Sequence, residues 1–335
     1  MLGFLTKRKT AVTTGVSLPV LLGLLAAVVF LVIGSLSSTI FAQQTVSGLS
    51  QGAIFGSLAL ALVLIYRATE VVNFAQGELA MATTYIAYQL TLWGLSYWVA
   101  FFLTLAISFA LGIAIQVTVI RPVQHKSVIA VVIVTVGLFI LIDGLVTWKW
   151  GADLKFMPAP FGNNVYHVGG VAFSRQDIGT LAVAILSVVV LWLLFKFTKL
   201  GLAMRASALR PAAASLVGVR VDLMLAIGWG LAAVLGAVAG LMTEPTQFLQ
   251  PTMMQAVLLY AFAAAVLGGL ESPAGAVVGG LLIGVFLNLF GQYGKISGYY
   301  LGTSELRLPI AFVILLVVLL LKPTGLFGRR QVRRV

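Results

Sequence analysis

The sequence predicts an all-α polytopic membrane protein of about ten transmembrane helices, and three observations carry that prediction. Of 335 residues, 61% are hydrophobic and only 9% charged, where a soluble domain carries about 25% charged residues. Such a chain cannot cover a water-facing surface. Apolar runs of about 20 residues, each long enough to cross a bilayer, recur from end to end. The basic residues gather on one side of the topology those runs imply. A transmembrane barrel would show short alternating segments instead.

The expected spans are 17–41, 47–66, 71–93, 96–120, 128–148, 177–197, 222–243, 254–270, 273–292 and 306–321. With both termini cytoplasmic, Lys149, Lys155, Arg175, Lys295 and Arg307 lie outside and the other sixteen of the 21 Lys and Arg lie inside. This asymmetry sets the orientation. It also accounts for the formal charge of +12 as a topology signal, with no nucleic-acid partner needed. The whole chain, 1–335, reads as one transmembrane domain with a short cytoplasmic N-terminus at 1–16.

Lys7-Arg8-Lys9 ahead of the first run resembles a signal peptide, but the run is long for a signal core and Ile40-Phe-Ala42 is a poor cleavage site. A retained span is the expectation. The second run carries Gly52 and Gly56, four apart on one helical face, where helix backbones can approach closely. The third opens Val71-Val-Asn73-Phe-Ala-Gln76-Gly77-Glu78. On a helix Asn73, Gln76, Ala80, Thr84 and Ala87 share one face, while Glu78, Ala82, Tyr85 and Gln89 share another. A span polar on two sides needs protein or a water-filled path around it. Glu78 would sit about 10 Å along the helix, a depth at which ionisable groups face the bundle interior or a cavity. Asn73, Gln76, Glu78 and Thr84 are the candidates for the transport pathway. The competing reading is a buried network that positions helices, with Glu78 paired to Arg67 or acting as a helix N-terminal carboxylate.

Segment 149–176 contains Pro158, Pro160, Asn163-Asn164 and Gly169-Gly170, all turn formers, and predicts a short hairpin or irregular external cap. Asp143 and Glu244 fall near external span ends, as vestibule or interfacial residues. Segment 198–221 is the longest internal loop. It is basic and Ala-rich, with Arg205, Arg210 and Arg220 around a short helix, 211–217, that Pro211 can start and Gly218 can end. Gly268-Gly269-Leu-Glu271-Ser-Pro273 predicts a tight internal turn. Gly275-xxx-Gly279, Gly280-xxx-Gly284 and Gly236-xxx-Gly240 extend the close-packing pattern, so Gly268, Gly269, Gly275 and Gly279 are packing residues. A basic tail, 322–335, follows.

There is no cysteine, which excludes disulfides and thiolate metal sites. His125 and His167 lie in different loops, and no metal constellation is formed. Gly294-Lys295 lacks the earlier glycine and the following Ser or Thr of a phosphate-binding loop, and no hydrolase motif occurs. The chain therefore reads as a non-enzyme with no cofactor of its own.

Asn73-Phe-Ala-Gln-Gly-Glu78 resembles the Asn-Phe-Ala-His-Gly-Glu motif of the LivH-type permease subunit of branched-chain amino acid ABC importers. Gly52-Ala-Ile-Phe-Gly-Ser-Leu-Ala-Leu-Ala-Leu-Val-Leu-Ile-Tyr66 is similar to that family's second-span signature. Arg121-Pro122, Thr135-Val-Gly137-Leu, Gly201-x-x-Met-Arg-Ala-Ser207, Ala213-Ala214-xxx-Gly218, the double-glycine turn and Lys322-Pro-Thr-Gly-Leu-Phe-Gly328 follow in order. Together they span residues 47–328. The chain departs from the pattern at Gln76, where the family has His, at Glu271, where it has Gly, and at Ala212, where many permeases have Glu.

The resemblance implies a type II-like ABC importer permease in the bacterial inner membrane. Its implied partners are a LivM-type second permease, two cytoplasmic LivG/LivF-type ATPases that bind the ATP and Mg, an extracytoplasmic solute-binding protein, and membrane lipid. It makes 198–221 the coupling loop, with Arg205, Arg210, Ala213, Ala214, Gly218 and Arg220 meeting the ATPase. Branched-chain or other apolar amino acids are the implied solutes. Urea or short amides are the alternative within the wider family. From another class, an ion-coupled secondary carrier would use Glu78 or Asp143, and a passive channel is third.

Overall fold

The computed structural model describes residues 38–124, 126–162, 164–168, 170–296, 299–300, 304–322 and 324–328. Residues 17–37 of the first expected span, His125, and the tail beyond 328 lie outside the described residues. The helices are α1 (Ser38–Thr69), α2 (Gln76–Leu92), α3 (Tyr97–Ile115, continued by a π-helical turn Gln116–Ile120), α4 (Val128–Trp150), α5 (Arg175–Phe197), α6 (Lys199–Leu209), α7 (Pro211–Leu216), α8 (Val221–Gln247), α9 (Met253–Gly268), α10 (Pro273–Tyr293) and α11 (Ser304–Leu321). Each expected span from 47 onward falls on one of these.

Six helices, α1, α3, α4, α5, α8 and α10, are long and apolar enough to cross a membrane. The expectation of about ten thus meets that measure for six among the described residues. Two of the others have local physical reasons for their length. The chain at Glu70–Ala75 is not helical, so α2 starts at Gln76 rather than 71 and keeps 17 residues, several of them polar. The turns at 251–252 and 269–272 clip α9 to 16 residues.

The all-α expectation is also corrected by two short hairpins. β1 (Val165–Val168) pairs antiparallel with β2 (Val171–Ser174), and β3 (Lys295–Ile296) with β4 (Tyr299–Tyr300). The first is the hairpin expected in the external segment, with Gly170 at φ +81° in its turn, a conformation glycine adopts without steric cost.

Helix starts follow the sequence chemistry. Ser127, Ser174, Thr198 and Ser272 each accept a backbone N–H at the first turn of α4, α5, α6 and α10, at 3.2, 3.2, 3.0 and 3.0 Å, which satisfies donors that a helix leaves orphaned. Within apolar helices, hydroxyls return to the preceding turn, as Ser57 to Ala53 O and Thr243 to Ala239 O. Such bonds pair these hydroxyls within the helix, as a bilayer core without water requires.

Burial separates an inner set from an outer one. The apolar windows of α1 and α8 are 83% and 72% buried, against 22% and 17% for α4 and α5. The core therefore sits where α1, α2, α8, α9 and α10 meet, around Leu58, Leu62, Met81, Val238, Met242 and Val257. Small residues make this packing tight. A Cβ on Gly52 would lie 2.8 Å from Gly280 O, and one on Gly56 3.0 Å from Val277 O, so α1 and α10 touch along their backbones as the glycine spacing implied.

Candidate transport pathway and coupling surface

Asn73 lies in the non-helical approach to α2, so it does not share a helical face with Gln76; hydrogen bonds join them instead. Asn73 Oδ1 accepts from Ala75 N at 3.1 Å, its Nδ2 donates to Gln76 Oε1 at 3.2 Å, and Gln76 Nε2 donates to Ala232 O on α8 at 2.9 Å. Thr84 Oγ1 donates to Ala80 O at 2.8 Å. Asn73, Gln76 and Thr84 are all buried. Gly236 and Gly240 of α8 pack on this face, and a Cβ on Gly236 would stand 2.8 Å from Gln76 Nε2. The glycines of α8 make room for the polar residues of α2.

Glu78 occupies the first turn of α2, where the helix dipole favours a carboxylate. It is fully buried, with no well-formed hydrogen bond to either oxygen, and Gln255 and Asp143 are polar groups facing it. The expected pairing with Arg67 is not made: Arg67 senses Glu271 and Arg205 instead.

Glu244 lies within α8, not beyond it, and is buried. Its Oε1 accepts from Met157 N at 2.8 Å. Beside it, Lys155 and Leu249 exchange backbone hydrogen bonds of 2.9 and 3.1 Å, and the Phe156 and Phe248 rings meet edge-on at 5.1 Å. Sequence reasoning missed this clasp, since nothing in the two segments' spacing pairs them. Glu244→Ala is expected to free the strand around Met157 and lower stability by about 1–3 kcal/mol, with faster proteolysis in 151–162. Glu244→Gln keeps the acceptor and should restore protection. Equal cleavage rates for wild type and Glu244→Ala would discard the clasp.

The loop 198–221 folds into two helices, α6 and α7, where one was expected at 211–217. Met204, Ser207 and Ala214 are buried. Arg205, Arg210, Ala213, Gly218 and Arg220 are exposed, and Gly218 closes α7 with φ +84°. Leu209, Leu216 and Val217 are 73%, 88% and 79% exposed. These three were not singled out from sequence. Their apolar character was visible, but only the fold shows that nothing in the described chain covers them. Arg121 Nη2 meets Asp222 Oδ2 at 2.6 Å across a half-exposed ion pair, joining the end of the π turn to the first turn of α8.

Two sequence motifs converge near this loop. Leu326 N and Phe327 N donate to Leu267 O and Gly268 O at 2.7 and 3.0 Å. Gly269, at φ +103°, has Thr324 O 2.8 Å from its Cβ position. The segment 324–328 therefore lies on the double-glycine turn, and a side chain at Gly269 would displace it. Gly275 and Gly279 pack α10 against the end of α9.

These features define a multi-pass helical membrane protein with a buried polar helix and a basic, apolar-tipped platform at one end. Residues 44–320 match the family described as branched-chain amino acid transport system / permease component, and the chain belongs to that family. It is 30% identical over 310 residues to the high-affinity branched-chain amino acid transport system permease protein LivH of Salmonella typhimurium, covering 88% of this chain and 98% of that protein. It is 29% identical to the corresponding BraD of Pseudomonas aeruginosa over 88% and 98%. A probable LivH of Methanocaldococcus jannaschii is 29% identical over 83% and 91%. Among solved structures, PsaBC from Streptococcus pneumoniae in complex with Fab aligns with a TM-score of 0.46 and 14% identity over 88% of this chain and 95% of that chain.

Proposed function

We propose that this chain is one permease subunit of an ATP-driven importer for branched-chain or other apolar amino acids. A binding protein delivers solute from outside to an interface with a second, LivM-type permease. Two LivG/LivF-type ATPases bind ATP and Mg, and their closure moves 198–221 and rocks the helices to expose the path inward. The full arrangement is a type II-like bundle of about ten spans in a bacterial inner membrane, with both termini cytoplasmic.

The observation that carries the reading is the tip of α6 and α7. A six-residue helix that leaves Leu216 and Val217 exposed beside Arg210 and Arg220 is poorly suited to water and well suited to an acidic-rimmed groove on another protein. Family membership supplies the solute class. A tagged chain purified in mild detergent should bring with it a second permease and two ATPases, and the reconstituted assembly should accumulate leucine-like solutes only with ATP. A self-only oligomer that moves solute in liposomes without ATP would replace this reading with a secondary carrier.

Asn73, Gln76 and Thr84 are proposed to control the pathway through the contact of α2 with α8, and Glu78 through its approach to Gln255 of α9 and Asp143 of α4. Asn73→Ala should then shift the solute concentration for half-maximal uptake, or the maximal rate, by several-fold. Unchanged uptake curves with a lowered melting temperature would assign Asn73 to helix positioning alone.

A further inference from the structure

A cavity of about 430 Å3 opens beside the basic platform, within the roughly 300–1,000 Å3 range of small-molecule sites. Its walls are the ends of α1, α5, α8 and α10 nearest the platform, and α6 itself. They are almost wholly apolar: Leu60, Leu64, Val188, Met224 and Val277 among others. Val189, Trp192 and Val278 line it while being 41%, 52% and 38% exposed on the outer faces of α5 and α10. The cavity is therefore open sideways, toward where lipid lies, as well as toward the platform.

The polar groups in its wall are few. They include Arg67, Arg205 and Ser207, and the two guanidinium groups are close enough to act on each other. Arg67 shares its field with Glu271. Arg205 donates Nε to Gly201 O at 3.4 Å and, among the described residues, has no carboxylate within ion-pair distance. Ser207 is buried and its hydroxyl has no hydrogen-bond partner, which is costly unless something supplies an acceptor. Lys196 Nζ lies 4.5 Å from the Trp192 ring centroid. A Trp–Lys pair at a helix end marks the headgroup level of a bilayer.

We propose that this cavity holds an acyl chain of an anionic phospholipid, whose phosphate is bound by Arg205 and Arg67 and accepts a hydrogen bond from Ser207. The charge arrangement decides between occupants. A zwitterionic lipid offers the same phosphodiester but also brings an ammonium toward two arginines, and an apolar partner helix would bury Arg205 with no counter-ion, whereas the phosphodiester of an anionic lipid meets the donors with no cation beside them. The tail fills a wall that offers nothing polar, and the lipid bridges α6 to α1, α5 and α10.

The test is native mass spectrometry of the full chain, with its co-purifying subunits, titrated with phosphatidylglycerol and with phosphatidylcholine of identical acyl chains. Phosphatidylglycerol adducts should survive activation that strips phosphatidylcholine. Arg205→Gln should weaken phosphatidylglycerol about fivefold, the effect of one cation at a lipid surface. Val189→Trp leaves both arginines in place but obstructs the tail, and should abolish the preference. Arg205 and Val189 are both exposed, so the variants should fold. Equal retention of the two lipids, no effect of Arg205→Gln, displacement by inorganic phosphate, or loss of lipid when the second permease is bound would each overturn the proposal. Lipid retention is read without transport, so this result is separate from the coupling role proposed for Arg205.

Discussion

Gly280→Leu is expected to eliminate the folded protein. Helix α10 is held on two sides by adjacent glycines. A Cβ at Gly280 would stand 2.8 Å from Gly52 O and closer still to the backbone of Gly56, while one at Gly279 would stand 3.1 Å from the Ala264 carbonyl carbon and from Gly268 N. The obstructing atoms are backbone on both sides, so no rotamer change relieves the clash. Moving α10 away from α1 to fit a side chain at Gly280 would drive it into α9. Overpacking costs about 1–3 kcal/mol where neighbours can adjust; here the loss should exceed about 3 kcal/mol, comparable to a large part of a domain's whole stability. The control is Gly144→Leu on α4, where nothing lies within 4 Å of the Cβ position. That change replaces a poor helix former with a good one, so stability should hold or rise. Size-exclusion profiles and melting temperatures of the tagged full chain decide the matter. A monodisperse Gly280→Leu protein melting with the wild type would mean that the α1–α10 contact is not as close as described.

Some of this architecture was legible because one physical rule governed each feature. Long apolar stretches have one stable state in a bilayer, so the edges of α4, α5 and α10 lie within about two residues of expectation, the ordinary scatter of helix ends. Glycines four apart told that close contacts existed, and Pro211 with Gly218 bounded α7. The periodicity did not tell which helices the glycines join. Gly52 and Gly56 meet Gly280 and Gly284, more than two hundred residues away, and Gly236 and Gly240 meet the polar side of α2. Those pairings are tertiary facts.

Asn73 shows the limit of face arithmetic. Its assignment to the face of Gln76 assumed a helix from residue 71, but Asn73 Oδ1 engages Ala75 N, a local turn that competes with helix formation. The same side chain then reaches Gln76 by another route. Glu244 failed differently. A carboxylate beside a proline near a span end reads as interfacial, and only its bond to Met157 N makes it a strut for segment 149–176. Leu216 failed because an exposed leucine in a loop is unremarkable in sequence, and becomes informative only once the chain is seen to leave it bare.

That bareness sets the other large effect. Leu216→Asp is expected to abolish coupled transport while the permease itself remains intact. At 88% exposure the side chain contributes almost no burial to this chain, so its replacement should leave the folding stability within the roughly ±0.5 kcal/mol typical of surface changes. Docked in an ATPase groove, the same leucine would bury enough apolar surface to contribute about 1.5–3 kcal/mol, and a carboxylate there adds a desolvation cost. The combined loss weakens docking by at least about tenfold. Uptake should fall in proportion, and ATP hydrolysis by the assembly should no longer respond to solute. Leu216→Met keeps volume and apolarity and should retain most activity. Ala213→Trp, exposed on the same short helix, should reproduce the defect by bulk instead of charge. With Ala at 212, no carboxylate there can substitute for the apolar contact. If Leu216→Asp and Ala213→Trp both transported at the wild-type rate with ATPases still bound, the engaged surface would have to lie elsewhere, and the double-glycine turn with its docked segment 324–328 would be the next place to substitute.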